Sequence, residues 1–73
     1  MQNKRVLVIE DDVDAANVLE AYLKREGYQV AVVGNGLMGL NTALSWKPDL
    51  ILLDVMLPDM NGTEILAALR RKV

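Results

Sequence analysis

Short apolar runs alternate strictly with helical stretches along this chain, and this alternation limits the fold more than any other feature. Three runs are short, apolar and rich in β-branched or aliphatic residues, which is typical of buried strands: Arg5–Ile9, Gln29–Val33 and Leu50–Leu53. Each run is followed by a stretch with helix signals. Alternating strands and helices predict an α/β fold, a parallel sheet with right-handed crossovers and helices on its faces.

The helical stretches carry recognisable start and stop signals. In the first, Asp12 or Asp14 is the candidate N-cap, and Gly27 is the candidate left-handed end. The second is predicted over about residues 37–46, and the third begins at 61–64, where Asn-Gly-Thr-Glu forms a variant of the capping box. The apolar residues whose helical spacing indicates the first helix are Ala15, Val18, Leu19, Tyr22 and Leu23.

The composition narrows the chemistry. The 73 residues include neither Cys nor His, which excludes disulfides, zinc fingers and Cys or His nucleophiles. The net charge is -2 and the only basic run is 70–72, so nucleic-acid binding by this segment is not indicated. No apolar stretch approaches the roughly 20 residues of a membrane helix. We therefore expect a single cytoplasmic domain that uses carboxylates, hydroxyls or amines.

Carboxylates follow two of the predicted strands directly. Glu10 and Asp11 come after the first, and Asp54 comes after the third. In open α/β folds the carboxyl ends of neighbouring strands form the ligand-binding edge. Helix capping is the simpler explanation for Asp11, Asp12 and Asp14, but it does not explain Asp54. Oxygen-only ligands favour Mg²⁺ or a similar hard cation, and a carboxylate beside such a cation can act as a nucleophile toward phosphorus.

A glycine pattern offers an alternative. Gly34, Gly36 and Gly39 form a G-x-G-x-x-G motif between a predicted strand and a helix, and Asp54 lies 20 residues after Gly34. This context is typical of a nucleotide-binding half fold. The same glycines also suit an ordinary turn and helix start. A nucleotide site leaves Glu10 and Asp11 unexplained, so we treat it as the weaker interpretation.

Three blocks of sequence resemble a known family. Residues 4–12 (KRVLVIEDD), 23–28 (LKREGY) and 48–62 (PDLILLDVMLPDMNG) are similar to the receiver domain of two-component response regulators, in particular transcriptional regulators with a winged-helix DNA-binding domain. The resemblance implies a flavodoxin-like fold in which the first three strands have the order 2-1-3. It also implies a phosphorelay signalling module and not an enzyme.

The resemblance assigns roles to the acidic residues. Asp54 would be the phosphoacceptor, and Mg²⁺ would be held by Glu10, Asp11, Asp54 and the backbone carbonyl of Met56. Asp12 would fall outside this group as a loop or cap residue. A sensor histidine kinase would be the partner, docking in part on the first helix, and transcription would be controlled through a DNA-binding domain outside these residues.

The resemblance covers only part of the family's fold. Residues 1–73 would be a partial receiver, a truncated (βα)3 unit without the fourth and fifth strand-helix units and without the hydroxyl and Lys residues that end those strands. An open outer edge on the third strand predicts self-association, by edge pairing or exchange of elements between copies. The alternative function is a natural or engineered half-domain fragment that self-associates and retains no activity.

Overall fold

The computed structural model describes residues 4–54 and 57–72. Strands and helices alternate as predicted, in the order β1 Arg5–Ile9, α1 Val13–Arg25, β2 Gln29–Val33, α2 Gly36–Trp46, β3 Leu50–Leu53 and α3 Gly62–Lys72. The strands form one parallel sheet of order β2-β1-β3, which confirms the predicted α/β fold and strand order. None of the helices in the described ranges has the length and apolar character needed to cross a bilayer.

The central strand β1 supplies most of the core. Val6, Leu7, Val8 and Ile9 are at most 1% exposed because β1 has a neighbouring strand on each side and helices on both faces. Side chains alternate across the sheet, so the strand feeds two clusters. One contains Leu7, Ile9, Ala43, Leu57 and Ile65, and the other contains Val6, Val8 and Leu23. Thus α1 covers one face, and α2 and α3 cover the other.

The third strand is more exposed than its apolar sequence suggests. Leu50 is 52% exposed, and Ile51, Leu52 and Leu53 are only half-buried. The reason is its place in the sheet. Within residues 4–54 and 57–72, β3 pairs with β1 alone, so water reaches its outer edge.

Only some of the apolar residues at helical spacing in α1 face the sheet. Val18 and Tyr22 are 69% and 59% exposed, whereas Ala16 and Leu23 are buried and Leu19 is half-buried. Helical spacing places two adjacent apolar stripes on this helix, and spacing alone does not say which stripe meets the sheet. The stripe of Val18 and Tyr22 therefore faces solvent.

The predicted helix ends are largely confirmed. Asp12 is the N-cap of α1, and Gly27 adopts a left-handed φ of 95° after the helix. At α3, Asn61 Oδ1 accepts a hydrogen bond from Glu64 N at 3.0 Å, and Glu64 Oε1 accepts one from Asn61 N at 3.0 Å, which completes the capping box. Helix α2 begins one residue earlier than predicted and ends at Trp46 as predicted, followed by Lys47 as its C-cap with a left-handed φ of 54°.

Candidate metal centre

Three carboxylates meet at the carboxyl edge of the sheet. Glu10, Asp11 and Asp54 each offer one oxygen atom, and these atoms all lie within 4.8 Å of one another. The strand register explains the meeting. Ile9 pairs with Leu53, so the residues that follow both strands leave the sheet side by side. The expected convergence of Glu10, Asp11 and Asp54 is thus present in the structure.

Backbone hydrogen bonds extend the sheet into the cluster. Asp54 N donates to Ile9 O at 2.9 Å, and Glu10 N donates to Val33 O at 3.0 Å. Both acids therefore continue the hydrogen-bond ladder of the sheet by one residue. Glu10 Oε2 also accepts a hydrogen bond from Asp12 N at 3.2 Å. Glu10 and Asp54 are half-buried, and Asp11 is exposed.

The cluster has the chemistry of a hard-cation site. Three carboxylates at this spacing repel one another, and a cation among them would convert that repulsion into attraction. All donors are oxygen atoms, which suits Mg²⁺, Ca²⁺ or Mn²⁺ and disfavours softer metals. The residues present therefore fit a divalent cation. The predicted fourth ligand, the backbone carbonyl of Met56, lies outside the described residues.

The remaining acids of the first acidic run have a different role. Asp12 Oδ1 accepts hydrogen bonds from Asp14 N at 3.0 Å and from Ala15 N at 3.3 Å, so Asp12 caps α1. Asp14 lies in the first turn of α1, where negative charge is favoured by the helix dipole. The expectation that Asp12 is a cap residue is confirmed.

A shallow pocket of about 110 Å³ lies beside the cluster. Glu10 and Asp54 are among its lining residues, and Leu19 and Leu52 contribute apolar surface. The pocket leaves room for a small group next to the two half-buried carboxylates.

Two of the three glycines in the G-x-G-x-x-G pattern allow close packing. A Cβ atom on Gly36 would lie 2.8 Å from Met60 Cβ, and one on Gly39 would lie 2.5 Å from Ile9 Cδ1. Gly34 has nothing within 4 Å of the equivalent position. Gly36 and Gly39 therefore let α2 sit directly against α3's leading loop and against β1.

The first turn of α2 already carries a negatively charged cap. Asp59 Oδ1 accepts a hydrogen bond from Gly36 N at 2.6 Å, and Oδ2 accepts one from Leu37 N at 2.9 Å. Asn35 Oδ1 accepts a third, from Met38 N, at 2.8 Å. The bonds from Gly36 and Leu37 hold the pKa of Asp59 below its ordinary value. A nucleotide phosphate would meet this charge, which argues against the nucleotide-binding interpretation.

Sequence reasoning did not identify Asp59. Its loop position carries no periodic signal, and its partners lie 22 and 23 residues away. One indirect signal exists: α2 has no acidic residue in its own first turn, although α1 and α3 each have one. A helix that lacks such a charge leaves its N-terminal amides open to a carboxylate from another segment.

Comparisons with known proteins agree on one family. A family model described as the response regulator receiver domain matches residues 6–73. The DNA-binding response regulator MtrA of Mycobacterium tuberculosis is 43% identical over 67 residues, which cover 92% of this chain and 29% of MtrA. This chain thus spans less than a third of the length of that relative.

Solved structures give the same result. The response regulator TrrA of Thermotoga maritima, in complex with Mg²⁺-BeF, aligns with a TM-score of 0.89 and 33% identity over 94% of this chain and 60% of that chain. A structure of TrrA in complex with the histidine kinase ThkA aligns with a TM-score of 0.88 and 33% identity, covering 96% of this chain and 60% of that one.

Proposed function

This chain belongs to the response regulator receiver domain family, and on that basis we propose that it is the N-terminal part of a phosphoacceptor receiver in which Asp54 takes the phosphoryl group. The observation that carries the proposal is the convergence of Glu10, Asp11 and Asp54, whose oxygen atoms lie within 4.8 Å of one another at the strand ends. Asp54 follows β3 directly and, like Glu10, lines a pocket with room for a small group.

The proposed metal is Mg²⁺, held by Glu10, Asp11 and Asp54 with the backbone carbonyl of Met56. The oxygen-only donor set supports this choice, as does the Mg²⁺-BeF complex of TrrA. When bound, such a cation offsets the negative charge that accumulates when a phosphoryl group approaches three carboxylates. The residues of this chain supply the fixed framework, since β1 and β3 hold the acids at their ends.

The proposed phosphoryl donor is a phosphohistidine of a sensor histidine kinase. A carboxylate oxygen of Asp54 forms the new bond to phosphorus, the P–N bond of the donor breaks, and its electron pair stays on the imidazole, which takes up a proton. The structure of TrrA with the kinase ThkA supports this class of partner. On α1, the exposed Val18 and Tyr22 supply an apolar stripe that suits a partner helix.

The proposed output is control of transcription. MtrA is a DNA-binding response regulator, and this chain aligns with 29% of its length. We place the DNA-binding step outside residues 1–73 and assign to these residues the first three strand-helix units of a receiver, with the fourth and fifth units outside them.

We also propose that this 73-residue chain self-associates when it is alone in solution. Within the described ranges the outer edge of β3 has no paired strand, and Leu50 there is 52% exposed. An apolar edge of this kind is a template for another strand. Light scattering at micromolar concentration should give a mass above that of one chain. A monomer mass would contradict the proposal.

Phosphorylation of Asp54 is tested with a small-molecule donor. The chain is incubated with acetyl phosphate and Mg²⁺, alone and mixed with a polypeptide that supplies the fourth and fifth units of a relative such as MtrA. We expect a hydroxylamine-labile phosphate on Asp54, detected by mass spectrometry and lost in Asp54→Asn. Asp14→Asn, which removes a carboxylate outside the cluster, should retain it.

The outcome of the mixing experiment separates the two functional interpretations. Phosphate only in the mixture indicates a split receiver that needs its other half. No phosphate in either sample supports the alternative of a fragment without retained activity. Phosphate that persists in Asp54→Asn would overturn the assignment of the acceptor.

A further inference from the structure

Residues 57–59, on the C-terminal side of Asp54, are held against the rest of the molecule at two points. Leu57 is 8% exposed and packs in the cluster that contains Ile9 and Ile65. Two residues later, Asp59 places both carboxylate oxygens on the first two amides of α2, at 2.6 and 2.9 Å. Such charge-assisted bonds at a helix N-terminus combine hydrogen bonding with the attraction of the helix dipole.

The same helix also braces the other half of the acid cluster. Gly39 lies so close to Ile9 that a Cβ atom there would be 2.5 Å from Ile9 Cδ1. Ile9 is fully buried and directly precedes Glu10 and Asp11. A shift of α2 away from β1 would therefore remove the support behind these two acids.

The contact between residues 59–60 and the start of α2 is tightly packed. A Cβ atom on Gly36 would lie 2.8 Å from Met60 Cβ, 3.1 Å from Ile65 Cδ1 and 3.2 Å from Asp59 Oδ1. Packing at this distance transmits displacement instead of absorbing it. Residues 57–60, the start of α2 and the end of β1 thus pack against one another next to the carboxylates.

We propose that Asp59 is a positioning residue for the metal site: by fixing residues 57–59 to the helix that braces Ile9, it sets the spacing between Asp54 and the Glu10–Asp11 pair. It touches neither the cation nor the phosphoryl group. The inference rests on the proposed function only for the identity of the ligand, Mg²⁺. It assigns to a loop aspartate a role that is separate from those of the three clustered acids.

The test measures Mg²⁺ affinity by isothermal titration calorimetry for wild type and for Asp59→Ala, Asp59→Asn and Asp59→Glu. Asp14→Asn is the matched control, because it removes one negative charge from the first turn of α1 without touching α2. All variants are measured at a temperature where circular dichroism shows them folded. We expect Asp59→Ala to weaken Mg²⁺ binding by about 3- to 10-fold. This loss is at or below the low end of what is usual when a residue that orients metal ligands is replaced.

The conservative variants separate positioning from general stability. Asp59→Glu keeps the negative charge at the start of α2 and lengthens the side chain by one methylene group, so it should restore part of the affinity. Asp59→Asn keeps one acceptor oxygen and should fall between wild type and alanine. In the wild type, Mg²⁺ should also shift the amide NMR resonances of Gly36 and Leu37, a readout that does not depend on any variant folding.

The possible failures are distinguishable. If wild type binds Mg²⁺ but Asp59→Ala binds it as tightly as Asp14→Asn does, the positioning role is wrong and the proposed function stands. Amide resonances of Gly36 and Leu37 that do not respond to saturating Mg²⁺ would have the same meaning. If wild type does not bind Mg²⁺, the metal site itself is wrong and the positioning role is lost with it.

Discussion

Asp59 Oδ1 accepts a hydrogen bond from the backbone N–H of Gly36 at 2.6 Å, joining two residues that are 23 positions apart in the sequence. This bond accounts for a glycine pattern that resembles a phosphate-binding loop. The amides that a phosphate would use are taken by a carboxylate of the same chain, and the glycine lets that carboxylate's segment approach closely. Through these bonds and through the contact of Gly39 with Ile9, the first turn of α2 packs against Asp59 and against the end of β1, next to the acid cluster.

The Asp59 cap predicts a pH-dependent contribution to stability. Hydrogen bonds from Gly36 N and Leu37 N lower the pKa of Asp59 in the folded chain below its ordinary value of 3.8. Its stabilising effect is therefore fully present above pH 3.8 and is lost as the pH falls through the lowered pKa. Urea unfolding at pH 7 should show Asp59→Asn less stable than wild type.

The difference between these two proteins should shrink as the pH is lowered below 3.8. Glu26→Gln is the control, because it removes a charge at the C-terminal end of α1, where a carboxylate gains nothing from the helix dipole. A stability difference for Asp59→Asn that stays constant between pH 7 and pH 2 would contradict this account.

Gly36→Ala should be destabilising because its Cβ atom has no space. The new methyl group would lie 2.8 Å from Met60 Cβ and 3.1 Å from Ile65 Cδ1. Overpacking of this kind costs about 1–3 kcal/mol, more than the gain of about 1 kcal/mol in helix propensity. Gly34→Ala is the matched control, since nothing lies within 4 Å of its Cβ position. The melting temperatures of the two variants measure this difference. Equal melting temperatures would contradict the close contact at Gly36.

Asn61→Ala should destabilise α3 by about 1 kcal/mol through loss of the N-cap. Asn61 Oδ1 accepts hydrogen bonds from Glu64 N at 3.0 Å and from Thr63 Oγ1 at 2.5 Å, and both are lost with the side chain. Asn41→Ala, an exposed position in the middle of α2, should instead be neutral or slightly stabilising. The denaturant midpoints of the two variants measure the difference in stability. Equal midpoints would contradict the role of Asn61 as the N-cap of α3.

Trp46 fluorescence should be nearly insensitive to Mg²⁺. Trp46 is the last residue of α2, its carbonyl accepts a hydrogen bond from Arg5 Nη1 at 2.7 Å, and the Arg5 guanidinium lies 5.5 Å from its ring centroid. Arg5 begins β1, whereas the acids follow the end of that strand, so the ring is at the opposite edge of the sheet. Arg5→Ala should change the emission spectrum. A large response to Mg²⁺ in wild type would contradict this placement.

Local signals were sufficient for the strands, the helices and the caps, because these depend on residues that are close along the chain. The parallel orientation followed from the alternation of strands and helices, whereas the strand order 2-1-3 came from the family resemblance. Other features depend on contacts between distant segments. The exposed stripe of Val18 and Tyr22 depends on how α1 is rotated on the sheet. The exposure of Leu50 depends on β3 pairing, among the residues that the structure describes, with β1 alone. The role of Asp59 depends on a contact across 23 residues, which no periodic pattern encodes.

The most direct test of the central claim is the Mg²⁺ dependence of thermal stability in wild type, Asp11→Asn and Asp54→Asn. A ligand that binds only the folded state stabilises it by RT ln(1 + [L]/Kd), about 2.7 kcal/mol at 100 times Kd. The melting temperature of wild type should therefore rise with Mg²⁺ concentration.

Each variant should start at a higher melting temperature without Mg²⁺, since one of three mutually repelling carboxylates is gone, and should respond to Mg²⁺ much less. That result would establish Asp11 and Asp54 as parts of one cation site, with Glu10 within 4.8 Å of both. An equal rise in melting temperature for wild type and both variants would contradict the account.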